Sequence, residues 1–317
     1  MQSRFNTQKY ANQGFLIAVI SAVFLSFTSI IIRIVSEDYQ VPALILAFWR
    51  NFFVIFCAFP VLLIFKPNLL IVKLQDVLFL IGFGFALSIF NILWTLAVTL
   101  TGASVATVLV YSSGAFTAIL GHKIFKETLG WKKITAVALC LLGCILVSGA
   151  TDPQAWQINT LGILSGLLSG LLYAIYSLMG RHATQRGLNP WTTLFFTFSF
   201  AALFLLIINL LPIDFIPATA QNIGEMFYLR NQWRGWFLLV LLAAGPTLIG
   251  FGLYNVSLSL LASSTANLIL TLEPVFTAIT AYFLLHERLS TLELVGGGLI
   301  VSGLVILRLQ RRTKINK

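Results

Sequence analysis

The stretches FTAILGHKIFKETL (116–129) and FTAITAYFLLHERL (276–289) match in order at Phe, Thr, Ala and Ile. They match again at Glu127 with Glu287 and Leu129 with Leu289. The common offset of 160 residues also pairs Leu100 with Leu260, Ser104 with Ser264 and Ala106 with Ala266. An ordered block with one offset predicts two copies of a single unit, the first over residues 1–150 and the second over 151–317.

The unit belongs in a membrane. Of 317 residues, 58% are hydrophobic and only 9% charged, against roughly 25% charged in a soluble domain. Apolar runs of about twenty residues recur, and at 1.5 Å per residue each crosses a hydrocarbon core of about 30 Å. Strand-like alternation is absent, so the spans read as helices and not as a barrel. The first run is too long for a signal-peptide core and has no A-x-A site, so it is expected to be retained. The runs fall near 13–35, 42–65, 75–98, 103–122 and 131–150, then near 160–180, 190–212, 235–258, 263–286 and 291–309. Turns are expected at TLTGAS (99–104) and SLSLLASST (257–265). The fold class is therefore an all-α polytopic membrane protein of ten transmembrane helices, arranged as two five-helix repeats. Five is odd, so the second repeat enters the membrane upside down, as in many secondary transporters.

The net charge of +10 is a topology signal and not a nucleic-acid footprint. With both termini in the cytoplasm, only Arg33, Arg230, Arg234 and Arg288 fall outside and Arg50 falls within a span; the other basic residues lie inside. The long outer loop 213–234 reads as a surface loop rather than a lid, with Trp233 and Trp236 as interfacial anchors. Cys57, Cys140 and Cys144 sit in apolar spans without CxxC spacing and read as packing residues. His122, His182 and His286 lie on different spans with no ligand partners at suitable spacing, so no metal or cofactor is expected. No phosphate-binding glycine loop is present.

Glu273 stands about ten residues into the ninth span, roughly 15 Å deep, and Pro274 follows it. An ionised group at that depth costs about 2.5–3.5 kcal/mol or more unless paired or wetted, and proline frees the carbonyl of Leu270. At the repeat offset lie Ser113 and Gly114, again a polar residue before a helix breaker. Paired interruptions point to a site between the fourth and ninth spans, with Gly114 and Pro274 as hinges. Arg50 is the other buried charge, at a depth compatible with an ion pair to Glu273. Such a pair would lock helices together; an unpaired Glu273 could carry a proton.

Near the same depth lie Asn51, Asn91, Trp94, Thr95, Tyr111, Ser112, Tyr173, Tyr176, Tyr254, Asn255 and Asn267. Trp94 pairs with Tyr254, and Thr95 with Asn255, at the repeat offset. Aromatic rings with scattered amides and hydroxyls suit a small amphiphilic solute, although each alone also serves as an interhelical hydrogen bond. The candidate substrate contacts are Glu273, Ser113, Trp94, Tyr111, Tyr254, Asn255, Asn91 and Tyr176. Gly162, Gly166 and Gly170 read as close helix packing. Gly296, Gly297 and Gly298 read similarly, with a homodimer contact as one use, and Gly245-Pro246 reads as either a hinge or a static kink.

LEPVFTAITAYFLLHERLS, ASVATVLVYSSGAFTAILGHKIFKETL and GILSGLLSGLLYAIYSLMGR together resemble the EamA family of the drug/metabolite transporter superfamily over nearly the whole chain. Leu272, Glu273, Pro274, Ala278 and Glu287 fit that family's ninth helix. Gly114 stands where its first half often has proline, and SFTS (26–29) replaces its common Trp-Gly. The resemblance implies a secondary transporter of the inner (plasma) membrane, moving amino-acid-like, nucleotide-related or vitamin-like solutes by alternating access, with export common. An intramembrane enzyme would need a nucleophile–base pair or metal set at membrane depth. A non-transporting receptor or structural protein is disfavoured by the inverted repeat. The expected partners are a small-molecule substrate and the lipid bilayer, with no nucleic acid.

Overall fold

The computed structural model describes residues 2–148, 150, 160–211, 219–220, 222–284 and 290–315. Most of these are helical, with no strand among the described residues. The helices are α1 (Gln2–Tyr39), α2 (Ala43–Phe65), α3 (Leu74–Tyr111), α4 (Ser113–Phe125), α5 (Trp131–Val147), α6 (Thr160–Gln185) and α7 (Pro190–Leu210). They continue as α8 (Ile223–Met226), α9 (Trp233–Leu242), α10 (Gly250–Leu260), α11 (Ser263–Leu270), α12 (Glu273–Leu284) and α13 (Thr291–Ile315). Among the described residues, nine segments are long and apolar enough to cross a bilayer. The remaining expected span, α5, has 17 residues, at the lower limit for crossing. His286, Glu287, Arg288 and Leu289, the end of the second repeat block, lie outside the described residues.

The packing follows the symmetry that an inverted repeat requires. The third span, in α3, packs along α6, and its counterpart α10 packs along α1; α2 meets α7, α4 meets α11, and α5 meets α13. Each of these pairings maps onto itself or onto another when the halves are exchanged. The second expected turn is tight, with extended backbone at Leu261 and Ala262. The first differs in form. Helical hydrogen bonding continues through 99–104, yet Leu100 and Thr101 touch Gly162, while Leu109 touches Gly166 and Ser112 touches Gly170. The chain therefore reverses between Thr101 and Val105 and returns along α6.

Those contacts make the α6 glycines a seam of close backbone approach. A Cβ on Gly170 would stand 2.5 Å from Ser112 Oγ and 2.7 Å from the Leu109 carbonyl oxygen. Backbone cannot move aside cheaply, so Gly170→Val is expected to cost about 1–3 kcal/mol or more, read as a fall in detergent melting temperature. Gly82, with nothing within 4 Å of its added Cβ, should accept alanine without loss. Gly296 is occupied inside the chain: it crosses Gly143, each glycine's added Cβ falling within 2.7 Å of the other's carbonyl oxygen.

Two irregular segments bear on the readings of Gly245-Pro246 and of the outer loop. Between α9 and α10 the backbone widens into a π-helix at Ala243–Ile249 around Pro246. Pro246 has no N–H for the Leu242 carbonyl, and the Thr247 hydroxyl supplies that donor at 2.8 Å. The substituted hydrogen bond holds the bend in this conformation. The described part of the outer loop packs down: Ala220, Met226 and Leu229 are buried in a cluster with Val41, Leu44 and Phe48. Trp233 is exposed as an anchor would be, but Trp236 turns inward, 4.8 Å from Trp49 between ring centroids.

Candidate functional site

Both central helices are interrupted at matching points. The fourth span breaks at Ser112, between α3 and α4, and the ninth at Thr271–Leu272, between α11 and α12. These breaks lie just ahead of Gly114 and Pro274. Ser113 and Glu273 each open the following half-helix, so Gly114 and Pro274 fall in first turns. Proline is tolerated there because first-turn N–H groups have no intrahelical acceptor. Gly114 has a different use: an added Cβ would come 3.1 Å from Leu268, so its absence lets α4 and α11 cross closely.

A hydrogen-bonded network spans the crossing. Ser113 Oγ donates to Asn267 Oδ1 at 3.2 Å, joining the two repeats. Asn267 Nδ2 donates to Ser177 Oγ at 3.0 Å, and Ser177 Oγ lies 2.6 Å from the Tyr254 hydroxyl. Beside it, the Tyr176 hydroxyl donates to Asn255 Oδ1 at 3.4 Å, while Asn255 Nδ2 is buried without a partner among the described residues. Tyr173, Tyr176 and Tyr254 stack with centroids 6.2–6.4 Å apart. Phe90 stacks on Tyr173 at 5.4 Å. Tyr173, Tyr176 and Ser177 recur at helical spacing, so one face of α6 presents both the rings and the hydroxyl.

The two charges near this stack have different partners. Glu273 opens α12, where unsatisfied N–H groups and the helix dipole favour a carboxylate. Its polar neighbour is the Tyr111 hydroxyl, and Tyr173 lies within electrostatic reach of the same carboxyl. Arg50 Nη2 donates to Asn91 Oδ1 at 2.7 Å, beside Phe90, and Arg50 Nε is buried with no partner among the described residues. Each charge thus engages a neutral neighbour, and among the described residues no ion pair joins Arg50 to Glu273. Both side chains are partly buried. Trp94 is half-buried against the same core, with no hydrogen bond among those described.

The predicted residues therefore form three adjoining groups: Arg50 with Asn91; Glu273 with Tyr111; and Ser113, Tyr176, Tyr254 and Asn255 in or beside the crossing network. Asn267 and Tyr173 connect the groups, although neither stood among the leading candidates, and Ser177 was missed. A second polar cluster lies where α4 ends. Lys126 adopts the left-handed conformation (φ 54°) that closes the helix, turning Glu127 back across Gly121. Glu127 Oε1 accepts from Ser263 N at 2.7 Å and Ser263 Oγ at 2.5 Å. Its Oε2 accepts from Ser264 N at 3.3 Å and from the Ser264 hydroxyl, with Lys133 Nζ 3.6 Å away. Burial works to raise the pKa of this carboxyl, but the Ser263 and Ser264 hydrogen bonds and Lys133 outweigh it and hold it below the usual carboxylate range. Glu127 is ionised at neutral pH.

Comparison with known proteins gives a consistent picture. The profile of the EamA-like transporter family matches residues 12–149 and again 160–309. An uncharacterized transporter of Archaeoglobus fulgidus is 24% identical over 294 residues, covering 91% of this chain and 93% of that protein. An uncharacterized transporter of Synechocystis is 24% identical, covering 94% of each. A probable amino-acid metabolite efflux pump of Escherichia coli is 23% identical over 232 residues, covering 72% of this chain and 75% of the pump. One solved crystal structure superposes with a TM-score of 0.73 over 94% of this chain and 98% of its own, at 17% identity, a likeness of fold.

Proposed function

Since this chain belongs to the EamA-like transporter family, we propose that its cargo is an amino-acid-like zwitterion with an apolar or aromatic side group. The observation that carries this reading is the separation of Arg50 from Glu273. Two opposite charges left unpaired in a low-dielectric interior are costly. A cargo bearing both a carboxylate and an ammonium offsets both costs at once. Arg50 Nε, with no partner among the described residues, and its remaining guanidinium donors suit a planar carboxylate. Glu273 and Tyr111 suit the ammonium, and the Phe90–Tyr173 stack suits a flat apolar group.

Transport proceeds by alternating access, the two halves rocking about the α4–α11 crossing. Glu273 couples flux to protons: it holds either the cargo ammonium or a proton, and not both. The excess of basic residues in one set of loops supports cytoplasmic termini, and in this reading the chain works as an exporter in the plasma membrane, as the family resemblance implies. A ligand that binds the folded state raises its melting temperature. Purified protein is therefore expected to be stabilised by a large apolar amino acid, but not by its decarboxylated amine or its deaminated acid. Equal stabilisation by all three would contradict recognition of both charges.

A further inference from the structure

Besides the central site, the best-satisfied buried charge in the described chain is Glu127. Its carboxylate takes two backbone N–H groups and two hydroxyls from the first residues of α11. Lys133, 4% exposed, donates to the Ser264 hydroxyl at 2.5 Å and stands beside the same carboxylate. All the first-repeat members, Glu127 and Lys133, come from the ends of α4 and α5; the second-repeat members open α11. The connection joins the repeats at the end of the bundle bearing the N-terminus, since Glu127 follows an even-numbered span.

We propose that this cluster is the cytoplasmic gate of the transporter, a latch holding α11 against α4 while the central site is closed to the cytoplasm. The assignment rests on the alternating-access reading and its orientation. Geometry links the latch to the site: Asn267, which receives Ser113 from the other repeat, lies one helical turn beyond Ser263 on α11. The Tyr254 hydroxyl, held by Ser177, lies within electrostatic reach of Glu127. One turn of helix therefore connects the Glu127 carboxylate to the network at the crossing. When α11 swings from Glu127, it carries Asn267 away from Ser113, so the gate and the joint between the repeats release together. A chain of packed and hydrogen-bonded groups with two arrangements is the physical requirement for such coupling.

The test reads accessibility and needs no substrate, so it fails separately from the transport reading. In a background with Cys57, Cys140 and Cys144 replaced by alanine, Asn255→Cys, at a buried position beside the crossing network, reports on access to the interior. Its reaction with a membrane-impermeant cationic thiol reagent is timed in inside-out and right-side-out vesicles. With the latch intact, cytoplasmic labelling should be slow. Glu127→Gln, and separately Ser263→Ala with Ser264→Ala, should speed cytoplasmic labelling by about tenfold or more as the closed state loses its excess population. Labelling from the outside should not rise. Unchanged cytoplasmic rates in both variants would overturn the proposal. So would faster labelling from both sides, since that reports general loosening and makes the cluster a structural brace.

Discussion

Glu273→Gln is expected to abolish proton-driven accumulation while leaving cargo exchange at equal pH in place. One pH unit corresponds to 1.36 kcal/mol per proton, enough for about tenfold accumulation when one proton moves per cargo. Wild-type vesicles should approach that ratio, and the variant should stay near unity. The reason lies in the geometry: Glu273 opens α12 with a neutral hydroxyl, not a cation, as its polar neighbour. Its charge can therefore change without breaking an ion pair. Glutamine keeps the shape and the contact with Tyr111 but cannot release a proton. If accumulation survives in the variant, the proton travels by another route and Glu273 serves only the cargo.

Arg50→Met should raise the half-saturating concentration of a zwitterionic cargo by about 10–150-fold, the equivalent of losing a charge-assisted hydrogen bond of roughly 1.5–3 kcal/mol. Methionine retains length and apolar packing, so the loss reports on the guanidinium. Arg50→Lys should recover only a small part, because an ammonium lacks the planar fork. Asn91→Ala leaves Arg50 without its 2.7 Å partner and should impair binding less than Arg50→Met does. Uptake kinetics with a concentration series separate these variants. An unchanged half-saturation in Arg50→Met would reassign Arg50 to holding α2 against α3.

Fold class and repeat were legible because their signals are periodic and redundant. Twenty-residue apolar runs set the spans, and the pairing of Glu127 with Glu287 and Ser104 with Ser264 set the symmetry. The α4–α11 contact, at the crossing the sequence singled out, follows from the same symmetry. The exact break points were not legible. Gly114 and Pro274 stood out as helix breakers, yet the chain pauses before them: the N–H that Pro274 lacks is not needed in a first turn, and Gly114 leaves room for Leu268. Whether Arg50 meets Glu273 was open for a similar reason: depth along two helices is readable, but rotation about them is not. Rotation aims Arg50 at Asn91. Ser177 left no signal at all, since a lone serine in an apolar span has the same composition whether it bonds its own helix or another. Trp236 read as an anchor and instead packs on Trp49, since an aromatic at an interface can face either way.

The central claim, that the protein moves an intact zwitterion from one side of a membrane to the other, is tested most directly by counterflow in proteoliposomes. Vesicles are loaded with an unlabelled apolar amino acid and diluted into a trace of the same compound carrying a label. A transient overshoot of chemically unchanged label inside is the predicted result, absent when the load is the corresponding amine or acid. No overshoot with any zwitterion, or an equal overshoot with all three loads, would contradict it.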